Sequence, residues 1–572
     1  MKFRWSLAPS QPALAQHLAD AAQISTLLAQ CLLNRGLSEP ETIAQFLEPR
    51  LKMLADPFLL PNMRAAVDRL LLARAQNELV VIFGDYDVDG VTSATLLIQT
   101  LRALGLRVEA YLPHRLDEGY GLTQEGIENC LAKYPLKLLL AVDCGSTAFA
   151  TITWLKDRQM DVIVLDHHQV SMPLPPAVAL VNPQLGSDSD QSFRELCSAG
   201  LAFKLAHALV KTGRDQGWTE AQELDLRPML DLVALGTIAD LVPLTGENRI
   251  LTKIGLEYLN QSKRPGIVAL RNVSQTTSTI GCYEVGFQLA PRLNAAGRLE
   301  NAEEALRLLL STDPAQAESI AESLDSRNRE RQEIERGIST EVIGAVRARF
   351  DSENDYVIVE GQLLWHIGVV GIVASRVLHE FYRPTFIIGG DGQSWRGSGR
   401  SVEGFDLAAA LRECDDLLAK HGGHAMAAGL TIDPKNLDAF RARLNGLARR
   451  TLKREQLQPV LRLDAEVDLF EVSPERIREL EKLNPIGQKN PPINLFARRL
   501  THQRTPQRMG KQNQHAKFWV GSGGKTVEAV WWNCGDAPLP KVSFDLAFTP
   551  QMNDFMGKTS VQLKVLDWRP AT

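Results

Sequence analysis

The sequence predicts an α/β protein with a parallel-sheet domain, a long connecting helix, a second smaller α/β domain and a C-terminal β-barrel. Three observations carry that prediction. From Glu78 onward, short apolar runs bounded by turn residues alternate with amphipathic helical stretches, the pattern of βαβ units around a parallel sheet. Asp313-Pro314 then supplies a cap and a first-turn proline for a helical pattern that runs to about residue 350 without another proline. The chain ends in short alternating runs separated by many turns, which fits a small barrel or sandwich.

Taken in order, residues 1–55 read as a helical lead-in, with Leu14, Leu18, Ala22, Ile24, Leu27, Leu28, Cys31 and Leu32 at helical spacing. Residues 56–310 hold the parallel sheet. LVVIF (79–83), KLLLAVD (137–143), DVIVLD (161–166) and AVALVN (177–182) read as strands buried on both faces, with helices at VTSATLLIQTLRALG and TQEGIENCLAKY between them. The long helix occupies 311–352, and a helix of that length links lobes rather than sitting in one core. Residues 353–456 return to α/β texture (YVIVE, HIGVVGIVASRVLHEF, TFIIGG). Residues 457–572 form the barrel, with strands at TVEAVWW, FDLAFTP and TSVQLKVLDW.

A chain of 572 residues exceeds one ordinary domain. Its 44% hydrophobic and 23% charged residues exclude a disordered or fibrous class. The net charge of -5 leaves nucleic acid open as a partner, because carboxylates gathered at a cation site mask a basic face elsewhere. Seven scattered cysteines without CxxC pairing read as reduced thiols. MKFRWSLAPSQP lacks the apolar centre of a signal peptide, and no run reaches membrane-spanning length. The expectation is a cytoplasmic protein with no membrane partner.

The strongest local signal is Gly84-Asp85-Tyr86-Asp87-Val88-Asp89-Gly90, directly after the strand LVVIF. Three carboxylates at alternate positions repel one another and invite a cation, and in open α/β sheets this edge is where ligands bind. An EF-hand loop is the rival, since Asp85, Asp87, Asp89 and Gly90 fit its positions 1, 3, 5 and 6. It fails at position 12, where Leu96 stands in place of a bidentate Glu, and a strand precedes it where a helix is needed.

Further aspartates end apolar runs. Asp143 follows LLLAV, Asp166 with His167 and His168 follows VIVL, and Asp240 follows LVALGTIA. A single such Asp is as well explained as an N-cap. Four strand ends of one parallel sheet, however, bring their carboxylates and the histidines together. Mixed carboxylate and imidazole donors suit Mn²⁺ or Mg²⁺. Two ions roughly 3.5–4 Å apart would serve phosphoester hydrolysis. Asp166 reads as an orienting partner for His167 or His168 rather than a ligand.

The ordered set GDYDVDG, VDCG, LDHH and TIAD resembles the four motifs of the DHH phosphoesterase superfamily. FQLAPRLNAAGRL, LDSRNRERQ, WHIGVVGIVASRV, WRGSGRS and GGHAMAAG resemble the further segments of its exonuclease branch. The resemblance implies a DHH domain, a connecting helix, a DHH-associated domain and an OB-like domain. It implies Asp87 and Asp143 on one metal, with Asp89, Asp143, His167 and Asp240 on the other and Asp143 bridging. His168 would face the scissile phosphate as a catalytic residue beside Asp143. Many relatives carry a His where this chain has Phe83, so Asp85 or water would complete the first site.

The same resemblance places Arg115, Ser398 and Arg400 at a terminal 5′ phosphate, with Arg298 and His424 as further substrate contacts. Guanidinium forks, hydroxyls and glycine-exposed amides are the donors a phosphate needs. His366 reads equally as a cleft or a structural residue, and His114 as structural. Between Arg498 and Lys525 lie seven Lys/Arg and no acid, interleaved with Phe518 and Trp519 and followed by Trp531 and Trp532. That composition suits a single-strand binding surface or a solvated loop over core aromatics.

The expectation is a two-metal 5′→3′ exonuclease of single-stranded DNA in repair and recombination, with other repair or single-strand-binding proteins as partners. The alternatives are a phosphodiesterase of short oligoribonucleotides or cyclic dinucleotides, and a non-catalytic DNA-binding relative.

Overall fold

The computed structural model describes residues 3–114, 118, 119, 121–186, 193–299, 302–390, 395–555 and 557–571. The chain divides into two compact units, one made of 35–328 with 481–492, the other of 1–34, 329–480 and 493–572.

The first unit is built on a five-stranded, all-parallel sheet. Its strands are β1 (Leu79–Gly84), β2 (Arg107–Tyr111), β3 (Leu138–Val142), β4 (Asp161–Leu165) and β5 (Ala179–Val181), in the spatial order β2-β1-β3-β4-β5. Side chains alternate between faces, so the sheet separates two cores. Val80, Ile82, Leu138, Leu140, Ile163 and Leu165 pack on one side, and Val81, Phe83, Leu139, Ala141, Val162 and Val164 on the other. Burial on both faces explains why these strands read as continuous apolar runs. The helices that matter for the site are α1 (Val88–Ala103), α2 (Ser198–Asp215), α3 (Leu230–Ala239) and α4 (Ala290–Leu299).

The stretch LVALGTIA corrects the expectation that it is a strand. It forms α3, and Asp240 is the C-cap of that helix rather than a strand end. Every residue of α3 from Leu230 to Ile238 is buried, so it has no polar face, and an apolar run of that kind carries no helical periodicity.

The long helix α5 (Pro314–Arg349) passes through the chain boundary between the units. In the second unit a mixed sheet follows, with β6 (Ile358–Leu363), β7 (Thr385–Gly390), β8 (Trp395–Arg400), β9 (Leu418–Gly423) and β10 (Ala427–Ile432) in the order β9-β10-β8-β7-β6. Only β6 and β7 run parallel. The last five strands are β11 (Leu495–Met509), β12 (His515–Ser522), β13 (Lys525–Trp531), β14 (Phe544–Phe555) and β15 (Lys558–Pro570). They follow the order β11-β12-β13-β15-β14, and β11 also pairs with β14, which closes the barrel. The helical lead-in holds Pro12–Ala22, Thr26–Leu33 and Pro40–Leu47, preceded by a strand, Arg4–Leu7, that pairs in parallel with Val460–Leu463. Among the described residues no helix is long and apolar enough to cross a membrane.

Candidate metal centre

Equal register in the parallel sheet fixes the first row of the site. Gly84 pairs with Val142, Val142 with Leu165, and Leu165 with Val181. The next residue of each strand continues the ladder. Asp85 N donates to Val142 O (3.2 Å), Asp143 N to Leu165 O (3.0 Å) and Asp166 N to Val181 O (3.2 Å). Asp85, Asp143 and Asp166 therefore stand side by side at the carboxyl edge, one strand spacing apart.

The acidic loop then turns into α1. Asp87 is the N-cap, and its Oδ1 accepts from Asp89 N (2.9 Å) and Gly90 N (3.2 Å). The turn is tight enough to demand glycine at position 90, where a β-carbon would stand 2.4 Å from the Asp85 carbonyl oxygen. Asp89 lies in the first turn, and both its oxygens accept backbone donors from the start of α2, Ser198 N at 2.7 Å and Ala199 N at 2.8 Å. Ser198 Oγ also donates to Asp143 Oδ1 at 2.9 Å. Asp143 itself caps no helix. It has a φ of 63°, an unusual backbone state for a non-glycine residue, and such states concentrate at functional positions.

Three overlapping groups of donor atoms result, each spanning no more than 4.8 Å: Asp85, Asp87 and Asp143; Asp89, His167 and Asp240; Asp143, His167 and His168. His167 Nε2 stands 3.5 Å from Asp143 and from Asp240, and 4.0 Å from Asp89. The His167 Nε2 and Asp240 Oδ2 atoms are buried and make no hydrogen bond within the described residues. Orphaned buried polar atoms facing a ring of carboxylates are what a divalent cation would satisfy. The donor set fits Mn²⁺ or Mg²⁺.

Protonation reports the same frustration. Burial, then repulsion from neighbouring carboxylates, raises Asp143 well above the carboxylate range, Asp240 to about 9 and Asp89 to about 6. Burial and neighbouring His168 lower His167 to about 4, leaving a neutral imidazole available as a ligand. His168 behaves oppositely. Burial would lower it, but Asp166 Oδ1, 2.8 Å from Nδ1, raises it to about 9 and is itself held far below its usual range. Asp166 also accepts Ser146 N (2.9 Å), and Asn182 ties Ser146 Oγ (2.8 Å) to the His168 carbonyl (2.9 Å).

Phe83 points away from this cluster into the opposite core, where its ring stacks on Tyr111 at 5.6 Å. Arg298 sits in the last turn of α4, whose Asn294 Oδ1 accepts Val88 N of the acidic loop (3.2 Å). Arg115 lies outside the described residues. In the second unit Arg400 Nη1 donates to Ser398 Oγ (3.0 Å) on β8, and Gly371, in the first turn of the helix Val370–Phe381, lies against both. A guanidinium, a hydroxyl and a helix N-terminus together make a phosphate-sized set of donors. His424 is exposed in the turn before β10, and His366 Nδ1 accepts Gly368 N at 3.1 Å. His114 N donates to Glu118 at 2.7 Å.

On the barrel, Phe518 is fully buried. Trp519 is half-exposed, with Arg504 and Lys517 over its ring at 5.1 and 5.3 Å, and Trp532 is exposed beside His515.

Comparison with known proteins extends the geometry. Residues 79–237 match the DHH family, N-terminal domain; 354–450 match the DHHA1 domain; and 463–567 match the RecJ OB domain. The single-stranded-DNA-specific exonuclease RecJ of Bacillus subtilis is 34% identical over 572 residues, covering 99% of this chain and 71% of that protein. That of Dickeya dadantii is 37% identical over 575 residues, covering 97% of each. The crystal structure of RecJ in complex with Mn²⁺ from Thermus thermophilus superposes with a TM-score of 0.85 at 31% identity, covering 100% of this chain and 80% of that one. A Mg²⁺ complex from the same organism gives 0.78 at 29% identity, covering 100% of this chain and 79% of that one.

Proposed function

The chain belongs to the RecJ family of DHH phosphoesterases, and from that premise we propose that it digests single-stranded DNA from the 5′ end, in repair and recombination, using two divalent cations. The observation that carries the reading is the cluster itself, in which Asp143 and His167 each belong to two donor groups.

Asp85, Asp87 and Asp143 would hold one ion, and Asp89, Asp143, His167 and Asp240 the other, with Asp143 shared. A bound pair of Mn²⁺ or Mg²⁺ supplies an activated water and charge stabilisation at phosphorus. The protein's own groups do the rest. Asp166 holds His168 in one orientation and keeps its imidazole protonated, so that it can donate to a non-bridging phosphate oxygen. Arg298 contributes a cation at the end of α4. Arg400 and Ser398 present donors suited to a terminal phosphate, and Arg115 and His424 belong to the same reading as further substrate contacts. The barrel carries Arg504, Lys517 and Trp519 as a charged and aromatic surface for a strand. Seven cysteines outside any disulfide agree with a reducing cytoplasm, where single-strand-binding and repair proteins would be partners.

The assay is digestion of DNA and RNA oligomers labelled at either end, with Mn²⁺ or Mg²⁺. Mononucleotides released from the 5′ end of single-stranded DNA, with duplex spared, are expected. Preference for dinucleotides or short RNA would overturn the reading in favour of a small-substrate phosphodiesterase. Asp87→Ala or Asp143→Ala should abolish turnover while strand binding persists.

A further inference from the structure

The segment that leads into α4 presents two aromatic rings to water. Cys282–Glu284 and Val285–Leu289 run directly into Ala290–Leu299, and the middle stretch is a π-helical turn. Such turns are unfavourable in isolation and recur at functional positions. This one divides its side chains sharply. Val285 and Leu289 are fully buried anchors, while Tyr283 and Phe287 are 63% and 71% exposed. The two rings stack on each other with centroids 5.0 Å apart and planes inclined by 29°.

The same continuous segment is seated on the acidic loop. Asn294 accepts Val88 N, and Gly297 lies so close to Tyr86 that a β-carbon would stand 2.7 Å from its carbonyl oxygen. From Phe287 to Asn294 the helix makes about two turns, so the aromatic pair lies roughly 10 Å along the element that buttresses the cation cluster. It is held rigidly at that distance, because Arg292 between them is fixed to Asp325 at 2.8 Å.

What covers these rings must be small. Their chain neighbours Glu284, Gly286 and Gln288 are not apolar, so within this segment the exposed apolar surface is the two rings, whereas a stable protein interface needs ~1,000 Å² buried. The exposed flat face of such a ring suits a nucleobase. A single strand arrives with unstacked bases, and an aromatic face binds any of them, changing affinity by roughly 5- to 150-fold per base. A duplex offers no free base face.

We propose that Tyr283 and Phe287 form a stacking platform for a base of the substrate strand a few nucleotides from the scissile phosphate, a specificity device for unpaired DNA. The proposal rests on the exonuclease reading above. Tyr283→Ala, Phe287→Ala and the double variant alter surface side chains and leave Val285 and Leu289 in place. The KM for a single-stranded oligomer should rise about 10-fold in the double variant, and Phe287→Trp, which keeps an aromatic face, should leave it at the wild-type value. Cleavage of the p-nitrophenyl ester of thymidine 5′-monophosphate, which has no neighbouring base, should be unchanged. An abasic nucleotide scanned inward from the 5′ end should impair wild type at one position, and the double variant should be indifferent there. Wild-type KM in the double variant, or an abasic penalty that persists in it, overturns the platform alone. A wild-type protein that leaves single strands intact overturns the exonuclease reading and the platform with it.

Discussion

Ser198 Oγ donates to Asp143 Oδ1 at 2.9 Å, so the carboxylate shared by two donor groups is oriented from the first residue of a helix far along the chain. Partners of this kind typically change metal affinity by about 10- to 100-fold. Ser198→Ala keeps the backbone donor to Asp89 and hence the fold. The Mn²⁺ concentration giving half-maximal exonuclease rate should rise at least about 10-fold, with most activity recovered at saturating metal. An unmoved midpoint in the metal titration would show that this hydroxyl does not tune the site.

Asp166 and His168 act as one unit. Asp166→Asn removes the acceptor that keeps His168 charged and aimed, and kcat should fall about 10- to 100-fold with KM for the strand nearly constant. His168→Ala and the double variant should fall to the same level, because two members of one device are not additive. Multiplying losses in steady-state kinetics would separate their roles.

Much of the centre is legible in the sequence for one geometric reason. Parallel strands in equal register end on one line, so the residues after LVVIFG, LLLAV and DVIVL must be neighbours. Asp240 is legible as a member and illegible as to its element, since an all-round apolar helix has no period to read. Phe83 reads as a missing ligand, yet two-residue alternation aims it at the far core. Ser198, Asn182 and Asn294 carry no sequence signal, because their partners are 55, 14 to 36 and 206 residues away, and a serine opening a helix reads as an ordinary cap.

Arg249 is 1% exposed, and its guanidinium donates to the carbonyls of Phe46, Lys482, Leu483, Asn484 and Pro485 at 2.7–3.4 Å. It fastens segment 481–492 into the catalytic unit. In the next turn of that segment, Gln488 O accepts Leu244 N, four residues beyond Asp240. Each buried acceptor left unpaired costs about 1–3 kcal/mol. Arg249→Leu should therefore lose at least about 4 kcal/mol in denaturant unfolding, or fail to fold. A loss below about 1 kcal/mol would mean that water replaces the guanidinium at little cost.

Arg400 owes its lowered pKa to burial alone and bonds to Ser398 Oγ and Gly399 O, which leaves donors for an anion. Wild type should prefer phosphorylated over hydroxyl 5′ ends, and Arg400→Ala should erase that preference while still cutting both. Competition between the two oligomers in one tube gives the ratio directly. A ratio equal to that of wild type rejects the terminal-phosphate role.

The metal-free protein should lose stability as pH rises, opposite to the usual behaviour of a carboxylate in an ion pair. Asp143 and Asp240 are raised by burial and repulsion, and His168 by Asp166. All three bind protons more tightly in the folded chain than in the unfolded one. The stabilisation from Asp240 and His168 is complete below their unfolded values of 3.8 and 6.5 and disappears as pH climbs through about 9, and that from Asp143 has the same sign. His167, lowered to about 4, opposes this only below pH 6.5 and is silent in the upper window. Between pH 6.5 and 9 the apoprotein Tm should therefore decline, and Asp240→Asn should flatten the decline. Saturating Mn²⁺ should reverse the slope, because cations bind the deprotonated ligands and compete with protons for them. Thermal melts in EDTA and in Mn²⁺ across that range test the idea, and parallel curves in the two conditions would break the link between these carboxylates and the cation.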